Sequence, residues 1–303
     1  MSEAAFIAGD WGTSRLRLYL CDARGSVLAR GEGEGAAVPD CAGRFAAAVA
    51  AWDKAHGILP AVLGGMVGST IGWKEVPYLN CPAKPQTIAG AALHVDAGGR
   101  AVAILPGLSC TGRTGAPDVM RGEETQILGA FRLHPDLARG RRLFCLPGTH
   151  AKWVAVQSGA VMDFQTALSG ELFELLRRHS VLARDGGEVD SDSPALTHGL
   201  DLVRANPDAD LLHLLFSTRA RVVTGQMAKN DAASYLLGLV LGKDIATALK
   251  LFGRNGPVHL ICTPQLAALY GRALNAYDVP FAAIAGDAAA LAGLVHAHAE
   301  IFS

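Results

Sequence analysis

Charge and aromatic side chains are scarce in this chain. Asp, Glu, Lys and Arg make up 18% of its 303 residues, and Phe, Trp and Tyr only 6%. Neither sign of charge is in surplus, with 27 Lys and Arg against 28 Asp and Glu, so the basic field expected of a nucleic-acid binder is missing. The six cysteines (Cys21, Cys41, Cys81, Cys110, Cys145 and Cys262) contain no C-x-x-C pair. That argues against a zinc site or a disulfide framework and for small buried hydrophobes in a reducing compartment. No uncharged apolar run reaches the ~18 residues of a membrane span, because Asp287 and Lys243-Asp244 interrupt the longest ones. The start, Met1-Ser2-Glu3-Ala4-Ala5, lacks the basic-then-apolar order of a secretion signal. The expectation is a cytoplasmic protein with no nucleic-acid or membrane partner.

Apolar residues (50%) and glycine (35 residues) are plentiful. The first supplies a core for one large or two ordinary domains, at roughly 150 residues each. The glycines show no collagen period, and in such numbers they mark sharp turns or close backbone approaches.

The chain opens with an apolar run at 4–9 that ends in Asp10-Trp11-Gly12-Thr13-Ser14. Residues 15–20 then alternate with the period of a half-buried strand, Asp22–Ser26 turns, and Val27–Arg30 begins a third strand. The plan returns at Arg142–Pro147, with the turn Gly148-Thr149-His150, a strand at Lys152–Val156, a turn at Gln157–Gly159 and a strand at Ala160–Thr166. Two such hairpins in repeat register predict a duplicated architecture whose Gly-Thr turns face one cleft. The spacing also predicts helices at Cys41–His56, Glu123–Leu133, Asp231–Phe252, Pro264–Ala276 and Asp287–Ala299. A further helix begins at Ser169, read as its N-cap. Strands are expected at Ala61–Leu63, Gly98–Leu105 and Val258–Cys262, a polar loop at 184–194 and a hinge near 131–141. The apolar segment 231–252 fits either a core or a homodimer interface. His296 and His298 read as surface residues.

Three constellations could carry chemistry. The turn Gly12-Thr13-Ser14 presents backbone N–H groups and hydroxyls together, an anion-binding concavity. Asp10 at the strand end suits a hard cation such as Mg²⁺. Gly148-Thr149-His150 offers a second such turn, with Leu146 where the first has Asp10. That arrangement fits one ATP–Mg²⁺ site better than two separate sites, although plain β-turns would use the same residues. In Arg121-Gly122-Glu123-Glu124, first-turn carboxylates suit the helix dipole whatever their role, yet either Glu123 or Glu124 could be the base that accepts a hydroxyl proton. The loop from Gly64 to Pro82 is rich in glycine and polar groups and carries Met66, Ser69, Trp73, Glu75 and Tyr78. It reads as a site for a small hydroxylated ligand or as a long surface connection. Gly238–Lys243 is no P-loop: it is one residue short, lacks the Ser/Thr after Lys, and falls within a helical pattern.

Together these segments resemble the sugar-kinase branch of the actin/hexokinase/heat-shock-chaperone superfamily, and more narrowly the 2-dehydro-3-deoxygalactonokinase family. The resemblance is carried by Asp10–Arg17, Gly65–Ser69 with Gly72-Trp73, Pro77-Tyr78, Cys81–Ala83, Pro106–Ser109, Asp118–Gln126, Leu146–Trp153, Ser169–Phe173 and Phe216-Ser217-x-Arg219. It implies an α/β fold of two RNase-H-like (actin-like ATPase) domains, with mixed sheets flanked by helices around an ATP cleft. These would span 1–133 and 134–303, the last helix packing back across the hinge. It implies phosphorylation of the 6-hydroxyl of 2-dehydro-3-deoxy-D-galactonate in galactonate catabolism. Asp10 would be the metal-associated carboxylate and Glu123 or Glu124 the base. Gly12, Thr13, Ser14, Gly148, Thr149 and His150 would hold phosphates, and Met66, Ser69, Trp73 and Arg121 the sugar acid. The adenosine site would fall around 262–266, where Cys262-Thr263-Pro264 replaces the usual glycine-rich sequence. The rival readings are a kinase of another sugar or sugar acid, and a non-catalytic sugar-acid sensor. The sensor reading is weakened because no DNA-binding helix-turn-helix precedes Asp10.

Overall fold

The structure, a computed structural model, describes residues 3–184 and 186–302. Met1-Ser2 of the N-terminal reading and Asp185 of the polar 184–194 segment lie outside the described residues. In chain order the strands and helices are β1 (Ala4–Trp11), β2 (Arg15–Asp22), β3 (Val27–Glu34), α1 (Cys41–His56), β4 (Ala61–Gly65), β5 (Leu79–Asn80), α2 (Pro85–Gly90), β6 (Leu93–Asp96), β7 (Ala101–Ile104), β8 (Leu108–Thr111), β9 (Pro117–Met120) and α3 (Glu123–Leu133). They continue as β10 (Arg141–Leu146), β11 (Ala151–Gln157), β12 (Ala160–Ala167), α4 (Ser169–His179), α5 (Pro194–Ala205), α6 (Leu211–Val223), α7 (Ala232–Phe252), β13 (Val258–Cys262), α8 (Pro264–Ala276), β14 (Phe281–Ala285) and α9 (Gly286–Ile301).

Two compact units result. Unit 1 comprises Met1–Arg141, Val156–Phe164 and Ile284–Ser303; unit 2 comprises Arg142–Ala155 and Gln165–Ala283. Among the described residues the first sheet runs β3-β2-β1-β4-β7-β6 and the second β12-β11-β10-β13-β14. The duplication seen in the sequence is thus a duplication of topology. β1 pairs antiparallel with β2 and parallel with β4, and β10 pairs parallel with β13. Central β1 is apolar along most of its length because both faces of its sheet are covered. Ile7, Trp11, Leu16 and Leu63 pack with Phe45 of α1 in one cluster. On the opposite face Phe6, Ala8 and Val62 pack with Leu294 and Val295 of α9.

Several sequence readings are corrected. The strand expected at Gly98–Leu105 shrinks to β7, because Gly98 (φ 67°) and Gly99 (φ 86°) turn the chain back from β6. Ser169 is the first helical residue of α4, not its N-cap, and its hydroxyl donates instead to Asp244. His298 is half-buried and stacks on Phe6 with centroids 3.7 Å apart. Helix α7 has the length and mean hydropathy (1.3) of a membrane span, yet 83% of that window is buried inside the protein. Its Gly238, part of the false P-loop, is a packing residue: a Cβ there would lie 2.2 Å from the Leu196 carbonyl oxygen of α5.

Candidate functional site

In unit 1 the ends of β1 and β4 and the start of α3 converge. Asp10 lies opposite Arg17 on β2 and Gly64 on β4. Its Oδ2 accepts from Arg17 Nη1 at 2.9 Å, and the same nitrogen is 3.3 Å from Asp287 Oδ1. Burial pushes the Asp10 carboxyl above its ordinary range, Arg17 pulls against that, and Asp287 adds a smaller upward push. The turn Gly12-Thr13-Ser14 follows, closed by Gly12 N–H donating to Arg15 O at 2.9 Å, with Thr13 and Ser14 exposed.

Helix α3 begins after Gly122, whose φ of 108° favours glycine and whose added Cβ would sit 3.5 Å from the Gly65 Cα. Both glutamates of the first turn accept backbone N–H groups: Glu123 Oε2 from Arg121 at 3.0 Å, and Glu124 Oε2 from Gly122 at 2.7 Å. Their surroundings differ. Glu123 is half-buried, whereas Glu124 has 0% exposure and also accepts from Thr125 Oγ1 at 3.1 Å. Burial, with the Glu123 charge second, pushes the Glu124 carboxyl up to about 8.

That shift has a consequence for stability. The unfolded chain releases the Glu124 proton near the ordinary value of 4.5, whereas the folded chain holds it to about 8. Between these values the folded state binds more protons, so this group's contribution to stability falls as pH rises. Relative to Glu124→Gln, the native protein should lose about 3 kcal/mol between pH 4.5 and pH 7, at 1.36 kcal/mol per unit. Urea denaturation of both proteins at pH 5 and pH 8 checks this. A stability difference that does not grow with pH would contradict the burial argument.

The Gly64–Pro82 segment is folded onto unit 1 rather than standing free. Met66 opens a short 3₁₀ turn, Ser69 Oγ donates to Met66 O at 2.7 Å, and Trp73 N–H donates to Val67 O at 2.8 Å. The Trp73 ring packs 5.6 Å from Phe45, against the core. The exposed aromatic beside the polar groups is therefore Tyr78, whose ring lies 4.4 Å from the Arg121 guanidinium carbon. Arg121 Nη2 donates to Val76 O at 2.7 Å, while Nε and Nη1 are buried with no hydrogen-bond partner. Buried unpaired donors are costly and uncommon. A cationic one with two free nitrogens suits a carboxylate.

In unit 2 the turn Gly148-Thr149-His150 is exposed and abuts α4. Glu171 N–H donates to Thr149 O at 2.8 Å, and His150 Nε2 lies 2.6 Å from Glu171 Oε2. A cavity of about 700 Å³ opens beside the turn, lined by Gly170, Phe173, Leu237, Leu241, Leu266 and Tyr270 among others. Its apolar walls and polar rim suit a planar heteroaromatic group. Of the 262–266 segment expected to hold an adenosine site, Leu266 lines it. Sequence reading missed Asp244, which entered only as a break in an apolar run. In the fold it is a buried acceptor for Trp153, Ser169 and Tyr270.

As for a divalent cation, the described residues contain no group of three or more His, Cys, Asp or Glu able to hold one. Asp10 is a single carboxylate at a strand end, which fits an ion arriving with phosphate oxygens and waters as its other ligands.

The family described as 2-keto-3-deoxy-galactonokinase matches residues 10–297. A protein of Rhizobium meliloti (strain 1021) named as a probable 2-dehydro-3-deoxygalactonokinase is 39% identical, over 97% of this chain and 97% of its own. The 2-dehydro-3-deoxygalactonokinase of Escherichia coli (strain K12) is 35% identical over 96% of each. The crystal structure of a candidate 2-dehydro-3-deoxygalactonokinase from Sinorhizobium meliloti superposes with a TM-score of 0.90 at 38% identity, covering 98% of this chain and 99% of that one. The fold, α/β with mixed sheets flanked by helices in two compact units, is shared with that structure.

Proposed function

Because the chain belongs to the 2-keto-3-deoxy-galactonokinase family, we propose a residue-level account of how it phosphorylates its sugar acid. The reaction is ATP-dependent phosphorylation of 2-dehydro-3-deoxygalactonate. The rival substrates and the sensor reading are not favoured by these relatives. In the proposed account the 6-hydroxyl oxygen attacks the γ-phosphorus, its proton passes to a carboxylate, the bond to the β-phosphate oxygen breaks, and ADP leaves. Such transfer is catalysed mainly by positioning and charge stabilisation.

Arg121 carries the reading. Its two unpartnered buried nitrogens, set between Gly68, Tyr78 and Val76 close to the α3 start, would bind the substrate carboxylate, with Met66 and Ser69 flanking Gly68 in the chain. Glu123 takes the proton, since it is the less buried of the two glutamates. In unit 1 the turn Gly12-Thr13-Ser14 would donate to phosphate oxygens; in unit 2 the turn Gly148-Thr149-His150 would do the same, with the adenosine in the cavity beside it. Asp10 would hold Mg²⁺ through its oxygens; the ion, when bound, supplies positive charge to the phosphoryl oxygens. In this reading the enzyme works in the cytoplasm as a homodimer.

Replacing Arg121 by Met is expected to raise KM for the sugar acid about 100-fold, the scale of a lost charge-assisted bidentate contact, with KM for ATP changed less than threefold. A coupled ADP-release assay varying each substrate measures this. Equal effects on both KM values would remove Arg121 from the sugar-acid site.

A further inference from the structure

We propose that Asp244 is a positioning residue for the nucleotide, setting the α4 N-terminus against the Gly148-Thr149-His150 turn through a buried hub. This rests on the proposal that ATP occupies the turn and cavity of unit 2. Asp244 sits on α7 and its three partners come from three other elements. Oδ1 accepts from Trp153 Nε1 of β11 at 2.8 Å. Oδ2 accepts from Ser169 Oγ at the first position of α4 at 2.6 Å and from Tyr270 OH of α8 at 3.1 Å.

All three partners are neutral donors, so the carboxylate's burial is offset by hydrogen bonds alone. An apolar side chain of similar volume would fill the space at lower cost, whereas a carboxylate demands that its donors stand in fixed directions. What those directions determine is the seat of α4. Gly170, next to Ser169, lies so near the turn that a Cβ would come within 2.3 Å of the Gly148 carbonyl oxygen. Glu171 then donates its N–H to Thr149 O and pairs with His150. Tyr270 and Ser169 also line the cavity, so one buried carboxylate orders the cavity wall and the turn together. Trp153 is 1% exposed and does not line the cavity, which makes it the cleanest place to break the hub without touching a ligand.

The test compares Trp153→Phe, Ser169→Ala and Asp244→Asn with the parent enzyme, recording KM for ATP, KM for the sugar acid and the melting temperature. Trp153→Phe and Ser169→Ala should each raise KM for ATP about 5- to 10-fold, the scale of one hydrogen bond to a charged group, with KM for the sugar acid unchanged. Asp244→Asn should stay within about threefold, because its carbonyl can still accept from Trp153 and its amide can donate to the Ser169 and Tyr270 oxygens. A purely structural hub would lower the melting temperature and leave the ratio of the two KM values unchanged, which would overturn the proposal. Leu266→Trp, which fills the cavity, separates the two readings. If it leaves KM for ATP unchanged, the nucleotide assignment fails and this inference with it. If it raises KM for ATP while Trp153→Phe does not, the positioning role alone is refuted. Should Trp153→Phe not fold, Ser169→Ala decides on the same ratio: a raised KM for ATP with KM for the sugar acid unchanged supports the proposal, and an unchanged ratio overturns it.

Discussion

Glu123→Gln is expected to lower kcat by about 100-fold or more, the contribution typical of a general base, with KM for ATP unchanged. Glu124→Gln, one residue along, should keep most activity at pH 7. The two glutamates share a helix turn and differ in solvation. A base must be ionised and must reach the hydroxyl whose proton it takes. Glu123 is half-buried and accepts a backbone N–H of Arg121 through Oε2. Glu124 is fully buried, with both oxygens engaged by Gly122 and Thr125, and its carboxyl is pushed up to about 8. At pH 7 it is therefore mostly protonated, and glutamine is close to that neutral form in shape and charge. Its role is to hold the Gly122 turn from which Arg121 and Glu123 project. Single-turnover rates for both variants, with nucleotide affinity measured alongside, decide the matter. A large loss in Glu124→Gln with near-normal Glu123→Gln would reverse the roles.

The second large effect concerns the helix that carries both glutamates. Helices α3 and α9 cross where Gly129 faces Ala289 and Gly293 faces Thr125. A Cβ at Gly129 would lie 1.7 Å from the Ala289 carbonyl oxygen, and one at Gly293 would lie 1.9 Å from the Thr125 carbonyl oxygen. These obstacles are backbone, so relief requires moving a whole helix rather than turning a side chain. Either Gly→Ala change should destabilise by more than about 4 kcal/mol, at the severe end for single substitutions. It should also displace the α3 N-terminus, so that any soluble protein has reduced activity. Gly90→Ala is the contrasting control: nothing lies within 4 Å of its added Cβ, and in helix α2 alanine should be neutral or gain up to about 1 kcal/mol. Guanidinium denaturation of the three variants reads the result. A Gly129→Ala protein within 1 kcal/mol of the parent would show that the helices do not approach so closely.

Local features were legible in the sequence. The bounds of α1, α3, β13 and α8 follow from apolar period and turn chemistry, because a helix face or strand alternation is written within a dozen residues. The repeated hairpin was legible for the same reason, since each copy is continuous in the chain. Short β5, β6, β8 and β9 were missed, because strands of two to four residues carry too little period to read.

The sequence by itself determined the α/β repeat, the two Gly-Thr turns and the pairing of Arg121 with a glutamate-led helix. Only the tertiary structure decided which glutamate is desolvated, that Tyr78 rather than Trp73 faces Arg121, and that Asp244 joins Trp153, Ser169 and Tyr270 across 91, 75 and 26 residues of chain. Hydrophobic period and turn preference act between near neighbours in the chain. Desolvation and the direction of a buried hydrogen bond depend on which distant segments come to enclose a group, and no local pattern encodes that.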